Sequence, residues 1–297
     1  MTDTHPTLPE FDYIRPETLV KASEFLASNP EKARPFLGGT DVFVRMRDGL
    51  LTPEYLVDVK TLDGVNDLRF DPQVGLTLGA AVNMNRVIAS PEVQAHYPLL
   101  AESCRSVASY QVRNRATVVG NICNASPAGD TIGACLVLDG MVHIHGVNGL
   151  RQEPLAAFFL GPGKTTLKAG DIVTAIHLSV PPKSCQGIYL KLGRNKLSDL
   201  SIVGVTVLGC PTADTRSGFR FRIALASVAP VPLVLSEVEE YLTSRTITPR
   251  VLNAAAQLAA DACSPIDDVR GSAKYRKQMV KNISAIALTK VWAKLNR

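Results

Sequence analysis

The sequence predicts an α+β protein with more than one compact unit. Three observations carry this. The chain has 297 residues, against about 100–200 for a typical domain. Beyond Pro181-Pro182, three strand-like runs are followed by three helix-like runs, the order of a sheet with helices on one face. Before that pair, two Gly-containing turns, Phe36 to Asp41 and Ala116 to Asp130, punctuate a mixture of strands and helices. The Pro pair is the best boundary, giving units of about 1–180 and 181–297.

Each element has its own signal. Leu19, Ala22, Phe25 and Leu26 recur at helical spacing within Pro16 to Ser28, and Pro30 follows. Arg34 to Leu37 reads as a short buried strand that delivers Gly38-Gly39; Val42 to Met46 continues apolar, and Tyr55 to Val59 is a second strand after Pro53. Gly75 to Val82 alternates as a strand. Ser90-Pro91-Glu92 starts a helix that runs to Arg105. A helix to Leu138, a strand Met141 to His145, a turn Phe158 to Gly163 and a strand Ile172 to Val180 complete the first unit. In the second, Gly187 to Leu192, Leu200 to Leu208 and Phe219 to Val228 are strands. Ser236 to Ser244, Pro249 to Cys263 and Ser272 to Leu295 are helices.

Composition excludes several classes. Apolar residues are 46% and charged residues 20%, the balance of a protein with a packed core. A net charge of +5 without a basic run argues against nucleic acid, and Lys274 to Lys281 reads as a solvated helix face. No apolar run approaches the ~20 residues that cross a bilayer. The start, Met1 to Tyr13, is polar, so a cytoplasmic protein is expected. Six Cys lie far apart without a C-x-x-C pair, so no metal site is expected, and most of them read as reduced, buried small hydrophobes.

The two turns carry the chemistry. Gly120 admits a ligand close to the main chain, and Thr117, Asn121, Asn124 and Ser126 offer short polar side chains beside it. Asp130 precedes an apolar run, Thr131 to Leu138, and is placed to cap a helix there. Converging N–H groups of this kind suit a phosphate or pyrophosphate. An ordinary Gly/Asn turn has the same composition; the second such loop, Leu37-Gly38-Gly39-Thr40-Asp41, favours the anion site. Neither is G-x-G-x-x-G, so a Rossmann fingerprint is missing.

Five stretches in order resemble one family. They are F-L-G-G-T-D (36–41), A-T-V-V-G-N-I-C-N-A-S-P-A-G-D (116–130), Y-L-K-L-G-R-N-K-L-S-D-L-S-I-V (189–203), A-P-V-P (229–232) and D-D-V-R-G-S-A-K-Y-R (267–276). The chain resembles the FAD-binding subunits of molybdenum hydroxylases, the group of xanthine dehydrogenase, carbon monoxide dehydrogenase and hydroxybenzoyl-CoA reductase. The resemblance implies a PCMH-type fold, of the vanillyl-alcohol-oxidase/MurB kind. Its two subdomains, about 1–60 and 61–180, would hold FAD between them, and a C-terminal flavoprotein domain, 181–297, would cover part of it.

It also implies site residues. Leu37 to Asp41 and Thr117 to Asn121 would cradle the pyrophosphate; Asn124, Ser126 and Asp130 would line the same cofactor. Ile172 matches an apolar position near adenine or flavin, Tyr189 and Lys191 match positions beside the isoalloxazine, and Asp199 lies nearby. The residues alone read Tyr189 as a core ring and Lys191 as a solvated charge; period two puts both on one face of a strand, with Ile188, Leu190 and Leu192 on the other.

One branch of the family holds a [4Fe–4S] cluster in a Cys-rich insertion. Cys123 falls where that series begins, but only Cys135 follows before Cys185, so no cluster is expected. The implied function is electron transfer without catalytic residues on this chain. A large molybdenum-cofactor subunit and a small [2Fe-2S] subunit would be partners, and FAD would pass electrons to an external acceptor. A self-sufficient flavoenzyme of the same fold, or a nucleotide-binding subunit without activity, are the other readings. Turnover by the isolated chain would mark the first, and a colourless protein the second.

Overall fold

The computed structural model describes residues 7–195 and 199–296. It opens with β1 (Asp12–Ile14), α1 (Leu19–Ser28), β2 (Ala33–Phe36), α2 (Val42–Arg47) and β3 (Tyr55–Asp58). The three strands pair in parallel in the order β1-β3-β2. Thr18 caps α1 by accepting from Lys21 N. Phe36, Met46 and Leu56 form a small core of their own, with Phe11, Val42, Phe43 and Leu51 packed on it.

The chain continues through β4 (Leu68–Asp71), β5 (Gly75–Gly79), α3 (Met84–Ala89), α4 (Pro91–His96), α5 (Pro98–Arg105), α6 (Tyr110–Arg113), α7 (Val118–Asn124) and α8 (Ile132–Val137). Next come β6 (Met141–Gly146), β7 (Gly149–Pro154), α9 (Leu155–Phe158), the hairpin β8 (Phe159–Gly161) and β9 (Lys164–Thr165), and β10 (Ile172–Leu178). An antiparallel sheet of order β4-β5-β10-β6-β7 forms the frame. Its inner face, with Leu76, Leu78, Val142, Ile144 and Ile176, joins the helices in the largest core. The single helix expected over Ser90 to Arg105 is two. Pro98 opens the second, and Tyr97 before it lies at φ −130°, ψ 47°, outside the helical region. The turn expected at Phe158 to Gly163 is the end of α9 running into a hairpin.

The last part holds β11 (Gln186–Leu192), β12 (Val203–Pro211), β13 (Phe219–Ala226), β14 (Leu233–Val234), α10 (Ser236–Thr243), α11 (Pro249–Asp261) and α12 (Ala273–Leu295). The sheet has four strands rather than three, since Leu233 and Val234 pair with the end of β13. Two residues are too short for an alternation to register. Val205, Val207, Ile223 and Leu225 pack beneath α10 to α12 in a second core. The opposite face is also covered: Tyr189, Leu208 and Ala224 belong to the first core. A side chain on Gly133 of α8 would come within 2.3 Å of Thr206 Oγ1, so the bare backbone of the helix packs there directly on a strand side chain. Burial on both faces explains why β12 reads as a continuous apolar run.

Four cysteines are free thiols, and Cys185 and Cys210 are bonded to each other. The pair follows from register, because Gln186 and Gly209, their chain neighbours, face each other across β11 and β12. Among the described residues, no helix is long and apolar enough to cross a membrane. Among the same residues, no group of three or more His, Cys, Asp or Glu is placed to hold a metal ion.

Candidate functional site

The two Gly turns meet. Gly38 packs so closely on the other loop that a side chain would fall 2.0 Å from the Arg115 carbonyl oxygen. Gly39 has φ +75°, and a side chain there would also strike the Phe36 ring at 2.8 Å. Both glycines are thus required by the protein itself. Gly120 differs: a side chain would meet only Thr117 Oγ1, at 2.9 Å. Thr117 is the N-cap of α7 and accepts from Gly120 N at 2.8 Å. Expected as loop, Val118 to Asn124 is therefore helix, with the polar turn confined to its two ends.

Between these turns lies a cleft of about 130 Å³, lined by Leu37, Gly38, Lys60, Ala81, Asn83, Asn114, Arg115 and Thr117. Two cations and no carboxylate line it. Lys60 Nζ lies 2.8 Å from Asp58 Oδ1, donates to Tyr13 Oη at 2.8 Å and sits 4.4 Å from the Phe36 ring centre. Burial alone would raise the Asp58 pKa, but hydrogen bonds from Lys60 and Tyr13 hold it below the usual carboxylate range. The ammonium is thus fixed at the rim rather than free to sweep solvent. Arg115 is exposed, with its Nε 3.5 Å from the Gly38 carbonyl oxygen.

Thr40 and Asp41 lead into α2, with Asp41 at its N-cap and exposed. Asn121 Oδ1 accepts from Thr131 Oγ1 at 2.8 Å and so ties α7 to α8. Asn124 is half-buried at the end of α7, where Ala125 turns at φ +48°. Ser126 Oγ accepts from Ala128 N at 3.3 Å. Ile172 starts β10 and is buried in the first core rather than on the cleft. Asp199 Oδ2 accepts from Arg194 N at 2.6 Å. Lys196, Leu197 and Ser198 of the third motif lie outside the described residues.

Asp130 does not cap α8. Thr131 takes the N-cap position without a side-chain bond, and the Asp130 carboxylate turns to the C-terminal sheet. It accepts from Tyr189 Oη at 2.6 Å and Lys191 Nζ at 2.7 Å. Lys191 also donates to the Ser106 carbonyl, and Glu102 accepts from Tyr189 N, each at 3.3 Å. Tyr189 is 5% exposed and Asp130 8%. Burial pushes the Asp130 carboxyl up, while Lys191 and Tyr189 pull it back. Burial and the adjacent carboxylate push the Tyr189 phenol well above its usual value. The Lys191 charge, which the residues alone read as solvated, is instead compensated within the protein by Asp130.

With this geometry in view, comparison with known proteins is decisive. The profile of the FAD-binding domain in molybdopterin dehydrogenases matches residues 9–181. That of the CO dehydrogenase flavoprotein C-terminal domain matches residues 188–291. The chain belongs to the molybdopterin dehydrogenase flavoprotein family. The carbon monoxide dehydrogenase medium chain of Hydrogenophaga pseudoflava is 31% identical, over 96% of this chain and 98% of its own. A xanthine dehydrogenase FAD-binding subunit of Escherichia coli is 28% identical, over 92% of each. The structure of the Hydrogenophaga pseudoflava carbon monoxide dehydrogenase that lacks the Mo-pyranopterin moiety superposes with a TM-score of 0.92 at 30% identity, over 97% of this flavoprotein and 99% of that chain.

Within this flavoprotein, the sequence reading missed Lys60, Asn83, Asn114 and Arg115 as cleft residues. Asn83 and Arg115 carried a faint signal. Asn83 precedes Met84 as a helix cap would, accepting from Arg86 N at 2.9 Å, and Arg115 adjoins the second motif. Lys60 carried none, since nothing local marks the lysine after a strand as facing a loop from elsewhere.

Proposed function

We propose that this chain carries FAD and relays electrons from a small [2Fe-2S] subunit to an external acceptor, beside a large molybdenum-cofactor subunit. The observation that supports the seat of FAD is the donor set of the cleft. Two cations, two Asn amides and a tightly turned backbone face an opening without a carboxylate, which suits a diphosphate. A cleft of about 130 Å³ suits that part of the cofactor alone; whole small-molecule sites are roughly 300–1,000 Å³. When bound, FAD supplies both one- and two-electron redox steps, and the protein supplies binding, orientation and electrostatics.

In this reading Leu37 to Asp41, with Thr117, Gly120 and Asn121, shape the diphosphate seat, and Lys60 and Arg115 balance its charge. Asn124, Ser126 and Asp130 line the next stretch of the cofactor, and Ile172 supplies an apolar position near its adenine or flavin. Tyr189 and Lys191, joined to Asp130, form the wall contributed by the C-terminal sheet. The division at residue 180, with subdomains of about 1–60 and 61–180, belongs to the same proposal, as does a cytoplasmic location. No side chain of this protein is assigned to substrate chemistry. Native mass spectrometry of the protein from its own cell tests the assembly. Two partner chains with molybdenum and iron–sulfur content support it, and homo-oligomers alone overturn it.

A further inference from the structure

The stretch from Asp267 to Arg276 takes no part in the cleft, yet among the described residues it holds the most buried charged side chain, Arg276. Asp268 and Gly271 close a tight turn through reciprocal backbone bonds of 3.2 and 3.1 Å. Arg276 is 2% exposed. Its Nη2 donates to Asp268 Oδ1 at 2.6 Å, and Arg270 Nη2 donates to Asp268 Oδ2 at 2.7 Å. Arg276 Nε donates to the Gly271 carbonyl at 3.5 Å, and the other terminal nitrogen goes elsewhere: Nη1 donates to the carbonyls of Ile202 at 2.7 Å and Ser227 at 3.0 Å. Those carbonyls belong to the chain just before β12 and just after β13. A guanidinium serving only to pin α12 to the Asp268 turn needs neither.

Both segments reach back to the first unit. Ser227 lies at φ +67°, a conformation rare outside glycine. In that conformation its N–H donates to the Pro127 carbonyl at 2.7 Å. Ser201 Oγ donates to the Ala128 carbonyl at 3.3 Å and lies 2.7 Å from Ser227 Oγ. Ser201 is fully buried. Thus two consecutive carbonyls, at Pro127 and Ala128, are held from the C-terminal sheet, with only Gly129 between them and Asp130.

We infer that Arg276 is a positioning residue for the segment 126–130, acting through Ser227 and Ser201. It fixes the Ser227 and Ile202 carbonyls, so that the serine pair and the Ser227 N–H face Pro127 and Ala128. The segment in turn sets the Asp130 carboxylate against Tyr189 and Lys191. This inference rests on the reading of 126–130 as cofactor lining, but its first test does not.

That test is amide hydrogen exchange on the FAD-free full chain of wild type, Arg276→Lys and Ser201→Ala. Arg276→Lys keeps a cation for Asp268 and loses the fork; Ser201→Ala removes one hydroxyl and keeps the fold if the lysine variant does not. Losing one such hydrogen bond raises local opening by roughly fivefold. Exchange at Ala128, Gly129 and Thr131 should therefore quicken by about that factor, while amides of β5 and β6 stay protected. Unchanged exchange across 128–131 in folded Arg276→Lys, or in Ser201→Ala, overturns the inference. FAD titration is the second arm, with Leu242→Ala as a variant whose stability loss lies in the second core. FAD affinity should fall about fivefold in Ser201→Ala and stay level in Leu242→Ala. An equal fall in both marks a general stability effect and overturns the positioning role. A wild type that binds no FAD, with exchange altered as expected, overturns the cofactor reading alone.

Discussion

The cleft at Gly38–Arg115 and the seam at Asp130–Tyr189–Lys191 are both polar, and they are built on opposite plans. The cleft is open, lined by main chain and two cations, and its charge is only partly answered, by Asp58 behind Lys60. The seam is closed. Its carboxylate, phenol and ammonium answer one another at 2.6 and 2.7 Å, and little of them reaches water. An open, incompletely neutralised surface is suited to taking up an anion. A closed, compensated one is suited to holding two parts of a protein in register. The difference separates residues that bind from residues that place.

The comparison breaks most severely at Asp130. Asp130→Ala leaves a mostly buried ammonium and a buried phenol without their acceptor. Breaking one side of a buried pair costs about 3–5 kcal/mol. Urea unfolding should show a loss of that size, with Asp130→Asn recovering part of it; a loss under about 1 kcal/mol would place the seam among weak surface pairs.

The two glycine turns give the next contrast. Gly39→Val sets a branched side chain at φ +75° against the Phe36 ring and should destabilise by about 2–4 kcal/mol. The first side-chain carbon of Gly120→Val meets only the Thr117 hydroxyl, at 2.9 Å. Its melting temperature should stay within a few degrees of wild type while FAD content falls at least tenfold. Full FAD content in folded Gly120→Val would move the diphosphate away from α7.

A smaller effect is expected at Lys191. In the proposed reading, where this seam borders the flavin, Lys191→Met leaves the Asp130 carboxylate uncompensated, so added electrons are less favoured. The flavin potential should fall by on the order of 30 mV, the equivalent of a tenfold change for two electrons. No difference from wild type between pH 6 and 8 would mean that Asp130 takes up a proton in the variant, and a rise would contradict the electrostatic role of the pair. Tyr189→Phe, which keeps the ring, tests the phenol without opening a cavity.

The smallest effect is pH-dependent. The Asp58 carboxyl is held below its ordinary value of 3.8 by Lys60 and Tyr13. A depressed folded pKa contributes stability above the unfolded value and loses it as pH falls through the folded one. Wild type should therefore lose a shallow increment below about pH 4 that Asp58→Asn lacks. Parallel acid-unfolding curves for the two would remove Asp58 from the account.

Much of this was legible in the chain. Period two in Gly187 to Leu192 correctly separated Tyr189 and Lys191 from Ile188, and the two sets lie in different surroundings. Gly38 and Gly39 announced the first turn, whereas Gly120, read as part of a second, lies inside α7. What stayed hidden depended on distance in the sequence. Asp130 reads as a helix cap because Thr131 to Leu138 follows it, and its true partners are 59 and 61 residues away. Lys60 becomes a cleft residue only because β3 ends beside a loop from another part of the fold. The reason for Gly38 was also hidden: the carbonyl that excludes a side chain belongs to Arg115.

The most direct test of the diphosphate seat compares FAD with riboflavin, which has the same ring without the phosphates. Both are titrated onto wild type and onto the Lys60→Met/Arg115→Met double variant. Wild type should prefer FAD strongly. Each lost charge-assisted contact weakens FAD by about 1.5–3 kcal/mol, so the double variant should lose at least a hundredfold in FAD affinity with riboflavin unchanged. An FAD affinity that survives both substitutions, or a riboflavin affinity that falls as far as that of FAD, would contradict the assignment of the cleft.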